Sequence, residues 1–262
     1  ENNMCGFFLH FSEEVIDNDK FNQSLNLILT RGPDSTKIWK SKDSKKIIGF
    51  NRLSIIDPSS ESDQPMVDEQ NKYLIVFNGE IYNYKRLRDE LILEKLNFKT
   101  KSDTEVILKG FIHWGVEKLY NKLRGMFSVV IFNLENNDLV FFRDRVGMKP
   151  LYYFNSDEDL LISSEIKPII NQLDLKKKIS FRKNCSNFFT GIIDKGSSEN
   201  HTLFNEIYSS RPGEIIKKKN SLSFHNIISL EKIESEKKYL QNKKDSFSNQ
   251  CLRLKKLLYE SV

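Results

Sequence analysis

Cys5 is the residue whose type and place say most about chemistry. It follows Met4 and precedes Gly6 and the apolar run Phe7-Phe8-Leu9. A cysteine left first in the chain by methionine removal carries a thiol nucleophile and a free α-amino base on one residue. Glu1, Asn2 and Asn3 stand before Met4, so in the sequence as given that amine is held in a peptide bond. The extension is expected to block the amine and to fill space beside it; an uncut leader or an expression remnant would account for it.

Three further places could complete a site. Tyr73-Leu-Ile-Val-Phe77 leads into Asn78-Gly79 and then Glu80-Ile-Tyr-Asn83. Taken alone, Asn-Gly between two β-like runs reads as a hairpin turn, because both residues tolerate positive φ. With a nucleophile elsewhere it reads differently: a side-chain amide beside a glycine N–H offers two donors converging on one point, as an oxyanion hole requires. Arg52 interrupts the apolar run Leu53-Ser54-Ile55-Ile56 from its start. It is either an edge-strand arginine reaching water over its own stem or a buried fork that pairs with a carboxylate. Asp103 sits in Ser102-Asp103-Thr104-Glu105, where a helix dipole already favours an acid. Facing a pocket, it can hold an ammonium group. An arginine for a carboxylate and an aspartate for an amine together describe a site for a free amino acid.

The elements that must position these residues follow from periodicity. Cys5 to Phe11 is expected as a buried strand, with a helix after Asp19 carrying Phe21, Leu25, Ile28 and Leu29 on one face and ending at Arg31-Gly32-Pro33-Asp34. Thr36–Trp39, Lys46–Ile56 and Tyr73–Phe77 read as strands, and residues 83–96 as a helix with Tyr84, Leu87, Leu91 and Leu96 inward. Ser102-x-x-Glu105 is a capping box that should start a helix burying Val106, Ile107, Phe111 and Ile112. Met126–Asn133, Leu139–Arg143, Leu151–Phe154 and Leu160–Ser163 complete the strands. The class is α+β, built on antiparallel sheets. After about Asp174 lysine and asparagine rise, and a last helix from Asp245 to Val262 aligns Cys251, Leu254, Leu258 and Val262.

Composition excludes several roles. The chain has 262 residues, 39% hydrophobic, enough for a sizeable core. No apolar run approaches the roughly 18 residues of a membrane span, and the start lacks a secretory signal, so cytoplasm is the expected compartment. Cys5, Cys185 and Cys251 are odd in number and widely spaced, which fits a reducing environment. The net charge of +5 resides wholly in residues 214–262, with eleven lysines or arginines against six acids, so no nucleic-acid groove is expected in the neutral body. His10, His113, His201 and His225 show no ligand spacing, and no metal site is expected. Gly191–Gly196 has the spacing of a phosphate loop, but Ser197 stands where lysine is required, and it reads as a turn.

Met4-Cys5-Gly6, Arg31–Asp34, Arg52–Asp57, Asn78–Asn83, Ser102–Glu105 and Arg143–Tyr153 occur in order. Together they resemble the glutaminase domain of asparagine synthetases, a branch of the class II glutamine amidotransferases. Phe188–Gly191, Thr202–Phe204 and Arg211–Glu214 resemble its trailing part more loosely, and Thr30 stands where that family commonly has histidine or a basic residue.

The resemblance implies an N-terminal-nucleophile hydrolase, a four-layer αββα sandwich of two antiparallel sheets, over residues 4–228. Residues 229–262 would be a linker and the first helix of an otherwise absent synthetase domain. It also implies roles. Cys5 would attack the side-chain amide of L-glutamine, its α-amine shuttling the proton, with Asn78 and Gly79 as oxyanion hole. Arg52 would hold the α-carboxylate, with Leu53, Ser54, Ile55 and Ile56 bordering the pocket. Asp103, near Glu80, would hold the α-amine. Arg31–Asp34 and Arg143–Tyr153 would be architecture around the site. No cofactor is expected in this chain; ATP and Mg²⁺ would belong to the synthetase domain, in cis or in trans, and a homodimer is compatible. Two alternatives remain in view: a silent assembly module with Cys5 blocked, and an amidotransferase for a carboxylate other than aspartate. A self-processing hydrolase of another amide is disfavoured by the paired anchors Arg52 and Asp103.

Overall fold

A computed structural model describes residues 4–174, 202, 204, 206–219, 223–229 and 246–260. Cys185, His201, Val262, the Phe188–Gly191 string and the Gly191–Gly196 turn lie outside the described residues. The chain divides after Ile227 into two compact units. The described element of the second is a helix, α6, over Phe247–Glu260.

The first unit is built on two six-stranded sheets. One contains β1 (Gly6–Ser12), β2 (Ser35–Lys40), β3 (Lys46–Arg52), β8 (Tyr152–Asn155), β9 (Asp159–Ser163) and β10 (Ile207–Ser209), in the order β10-β8-β9-β1-β3-β2. The other contains β4 (Met66–Val67), β5 (Tyr73–Ile81), β6 (Gly125–Asn133), β7 (Leu139–Arg143), β11 (Glu214–Lys219) and β12 (Ser223–Ser229), in the order β12-β11-β7-β6-β5-β4. The pairings recorded in both are antiparallel.

Period-two alternation decides what each face meets. Phe7, Leu9, Phe11, Ile48 and Phe50 of the first sheet pack against Leu74, Val76, Val130, Phe132 and Phe141 of the second, which makes the central core. The opposite face of the first sheet, with Phe8, Ile47 and Leu161, is covered by α1 (Asn18–Asn26) through Phe21 and Leu25 and by α5 (Ile166–Gln172) through Ile169. On the far side of the second sheet lie α3 (Asp103–Trp114), in contact with β5, and α4 (Val116–Lys122), whose Tyr120 meets Phe127 and Phe142 edge-on. The layers are therefore αββα. α2 (Tyr84–Leu93) packs on α3 with Leu87 and Leu91 buried.

Several expectations change in detail. The strand expected over Lys46–Ile56 ends at Arg52, and Leu53–Ile56 form a loop. Leu29 is exposed, and α3 buries Val106, Ile107 and Leu108 while Ile112 faces out, because the helix docks by the turn nearest its start. Ser102 caps Glu105 N–H, but Glu105 does not return the bond. Its carboxylate instead accepts the backbone N–H groups of Lys99 and Thr100 and the Thr100 hydroxyl, so the box is half formed.

Candidate active site

The same alternation that builds the core delivers the reactive groups. Cys5 precedes β1 in phase with Phe7 and Leu9, and it packs at the margin of the central cluster. Asn78 is in phase with Leu74 and Val76, and Arg52 with Ile48 and Phe50. All three thus point between the sheets. They line a cavity of about 160 Å³ with Met4, Leu53, Ile55, Ile56, Gly79, Glu80, Asp103, Lys149 and a few neighbours. Of the residues expected at the site, Ser54 is the exception. Its N–H donates to Asp34 Oδ2 at 2.7 Å and it does not border the cavity, because the loop leaves β3 by turning toward the Arg31–Asp34 segment.

Cys5 Sγ accepts the Leu53 N–H at 3.3 Å and lies 3.5 Å from Leu53 O. Burial pushes its thiol above the ordinary range; the Leu53 N–H and the charges of Arg52 and Arg31 oppose this, and Asp103 reinforces it. With Met4 attached, the thiol is held protonated. Such a cysteine needs a base within reach.

Asn78-Gly79 is not a hairpin. β5 runs through both, with Asn78 opposite Ser128 and Gly79 opposite Phe127. Asn78 is almost wholly buried, and its Nδ2 has no hydrogen-bond partner among the described residues. A buried, unpaired donor costs about 1–3 kcal/mol, which a ligand oxygen would relieve. The Gly79 N–H direction follows from the strand. Alternate residues present their N–H groups to the same edge. At that edge Gln64 accepts the Phe77 N–H and donates to Phe77 O, and Asp103 Oδ2 accepts the Ile81 N–H at 3.1 Å. Gly79, between them, presents its N–H to the same side. Glycine is required there, with φ at 151° and an added Cβ 2.1 Å from Met126 O. Gly79→Ala should therefore destabilise the domain by about 2–4 kcal/mol, read as a lowered urea midpoint.

Arg52 is buried and multiply engaged. Nη1 donates to Ser59 O at 2.8 Å and pairs with Asp63, and Nη2 donates to Asp57 O. Asp57 in turn accepts the Ser59 hydroxyl and N–H and the Lys101 N–H. The guanidinium thus fixes the loop over residues 53–63, and Nε has no protein partner among the described residues. Sequence alone suggests that Arg52→Ala would affect substrate binding far more than stability. The structure revises this: the variant should lose about 1–3 kcal/mol of stability as well, moderated because Lys37 still pairs with Asp63 at 2.9 Å. Urea unfolding beside a KM measurement checks both effects.

Asp103 begins α3 and is 5% exposed. Burial raises its carboxyl to about 6; N–H groups of Ile81, Asp103 itself and Thr104 oppose this, and Glu80 adds to it. A buried carboxylate beside a second acid is a cation-seeking group.

Two residues assigned only to architecture by sequence stand close to Cys5. Arg31, on a single 3₁₀ turn (Leu29–Arg31), donates from Nε to Cys5 O at 3.1 Å and pairs with Glu165 at 3.1 Å, while its carbonyl accepts the Met4 N–H at 2.9 Å. Lys149 arrives on a loop wound around Asp144, whose carboxylate accepts the N–H groups of Phe127, Val146, Met148 and Lys149. The Arg-Gly-Pro-Asp and Arg143–Tyr153 strings are the signals that could have pointed to them. Gln64 was likewise invisible beforehand.

Two antiparallel sheets between helical layers, with a cysteine heading a central strand at the open end of the sandwich, make this an N-terminal-nucleophile hydrolase fold. A sequence profile of the glutamine amidotransferase domain matches residues 4–226, and the chain belongs to that family. It is 39% identical over 183 residues to asparagine synthetase [glutamine-hydrolyzing] 1 of Bacillus subtilis, covering 67% of this chain and 28% of that protein. Asparagine synthetase [glutamine-hydrolyzing] 3 of the same organism is 29% identical over 265 residues, covering 99% of this chain and 41% of the relative. A putative asparagine synthetase [glutamine-hydrolyzing] 2 of Methanocaldococcus jannaschii is 34% identical, covering 70% and 38%. The chain thus spans well under half the length of these relatives. Among solved structures, the B. subtilis glutamine phosphoribosylpyrophosphate amidotransferase superposes with a TM-score of 0.57 at 17% identity, over 84% of this chain and 50% of that one. No helix among the described residues is long and apolar enough to cross a membrane.

Proposed function

We propose that this chain hydrolyses L-glutamine to glutamate and ammonia, and that the ammonia serves an ATP-dependent synthetase that amidates a carboxylate, aspartate being the first candidate. The observation that carries the reading is the unpartnered amide of Asn78 buried in the same cavity as the Cys5 thiol. Residues 4–228 are the glutaminase domain in this reading, and residues 229–262 a linker and first helix of the synthetase, which would bring ATP and Mg²⁺ in cis or in trans. The chain itself needs no cofactor for the half-reaction.

In the proposed chemistry Cys5 is amino-terminal. Its Sγ attacks the glutamine side-chain carbonyl carbon while the thiol proton passes to the α-amine. The oxyanion takes the Asn78 Nδ2 and Gly79 N–H donors. Collapse breaks the C–N bond, the α-ammonium returns the proton to the leaving nitrogen, and ammonia departs. Water then attacks the thioester, giving glutamate and the free thiol. Arg52 Nε and the adjoining Nη2 hydrogen fit the substrate α-carboxylate, and Asp103 with Glu80 fits its ammonium.

The test compares protein whose first residue is Cys5, verified by intact mass, with protein retaining residues 1–4. Ammonia release from glutamine only by the former supports the reading. Processed protein that stays inactive, also with a synthetase domain supplied, would overturn it in favour of a silent assembly module.

A further inference from the structure

Lys149 is an ammonium placed where ammonium groups are rarely left. It is 5% exposed, it lines the cavity, and the side-chain contact recorded for its Nζ is with Met4 Sδ at 2.7 Å. The residue it touches is the one directly ahead of the nucleophile. Once Cys5 is amino-terminal, that thioether is gone, and Nζ and the new α-amine belong to two residues that line the same small cavity.

Several charges around this point already have partners, although Arg31 Nη2 is buried with none among the described residues. Arg31 is held by Glu165 and Cys5 O, and Arg52 by Asp63 and the loop carbonyls. Asp144 is taken up by four backbone N–H groups. Glu80 from β5 and Asp103 from α3 complete the ionisable lining. Burial and Arg31 push the Lys149 ammonium below the usual lysine range, and Cys5, Asp144 and Glu80 draw it back toward the charged form. A second positive charge here is therefore disfavoured.

An amino-terminal amine ordinarily titrates at about 7.7–8.0, so near pH 7 most of it is protonated and cannot accept the thiol proton. We propose that Lys149 is a positioning residue for this reaction, a buried cation that keeps the α-amine of amino-terminal Cys5 neutral and ready to accept that proton. The inference rests on the glutaminase reading above. Like-charge proximity in a desolvated pocket is the physical means, the same that lowers the basicity of paired amines elsewhere.

The test uses protein beginning at Cys5 with ¹⁵N-labelled cysteine. The α-amine is titrated by NMR, and the pH profile of kcat/KM for glutamine is recorded, in the parent, Lys149→Met and Lys149→Arg; Lys149→Gln replaces the methionine variant if that one misfolds. The neutral variant should raise the amine pKa and move the acidic limb of kcat/KM upward together, by about one pH unit. It should recover most of its activity above pH 9, and Lys149→Arg should track the parent. An amine pKa unchanged in the folded neutral variant, or an equal loss of activity at every pH, would overturn the proposal. Parent protein that shows the amine shift but releases no ammonia would defeat the glutaminase reading and not this charge effect.

Discussion

Asn78→Ala should lower kcat for glutamine hydrolysis by about 10²–10³ and leave KM within a few fold. The magnitude is that of the single oxyanion donor proposed for Asn78, whose bond would strengthen only as charge develops on the substrate oxygen. Stability should scarcely fall. Nδ2 has no partner among the described residues to lose, and removing a buried unsatisfied donor offsets part of the lost packing. A thermal scan beside steady-state kinetics separates this result from misfolding. A fall in kcat accompanied by a large loss of melting temperature would show that Asn78 is a structural residue of β5 and no more.

Asp103→Asn should move binding and stability in opposite directions. If Asp103 is the counter-charge of the substrate ammonium, as proposed, replacing the carboxylate should raise KM by about 10²-fold or more, the usual cost of breaking a desolvated ion pair. Without substrate the same carboxylate is a liability. Its folded pKa, about 6, lies above the ordinary 3.8, so the folded state holds the proton more tightly than the unfolded one. That contribution is complete below pH 3.8 and is lost as pH rises through about 6. At pH 7.5 the variant should therefore be more stable than the parent, by up to about 3 kcal/mol, and the difference should vanish near pH 4. KM of the parent should rise as pH falls below about 6. A variant less stable than the parent at pH 7.5, measured by urea unfolding, would mean that Asp103 is compensated by a partner other than substrate.

The strands were legible because their apolar residues are both contiguous and in phase, as Phe7-Phe8-Leu9 and Tyr73–Phe77 are. That Asn78, Gly79, Asp103 and Arg52 gather around Cys5 was legible, since all line its cavity, but Arg52 was not legible as the clamp of its own loop. The apolar letters Leu53, Ile55 and Ile56 continue a strand pattern. What ends the strand lies elsewhere: Asp34 draws off the Ser54 N–H, and Asp57 adopts φ of 51° to fold its carbonyl onto Arg52. Such long-range competition leaves no local periodicity. Lys149 was hidden for a related reason. Lysine is ordinarily a surface residue, and its burial depends on a loop that Asp144 winds up 140 residues after Cys5 in approximate terms.

The plugged edge of β5 has a consequence for how this protein behaves in solution. β4 pairs only at Ile75 and Leu74, so the rest of β5 would offer another chain an open row of peptide groups. Gln64 and Asp103 close that row on either side of Gly79 and leave a vacancy one residue long. An intruding strand needs several consecutive partners; a single oxygen needs one. The spacing of the two plugs thus leaves room for one acceptor atom at Gly79 while denying a second polypeptide the run of peptide groups it would need to pair along this edge.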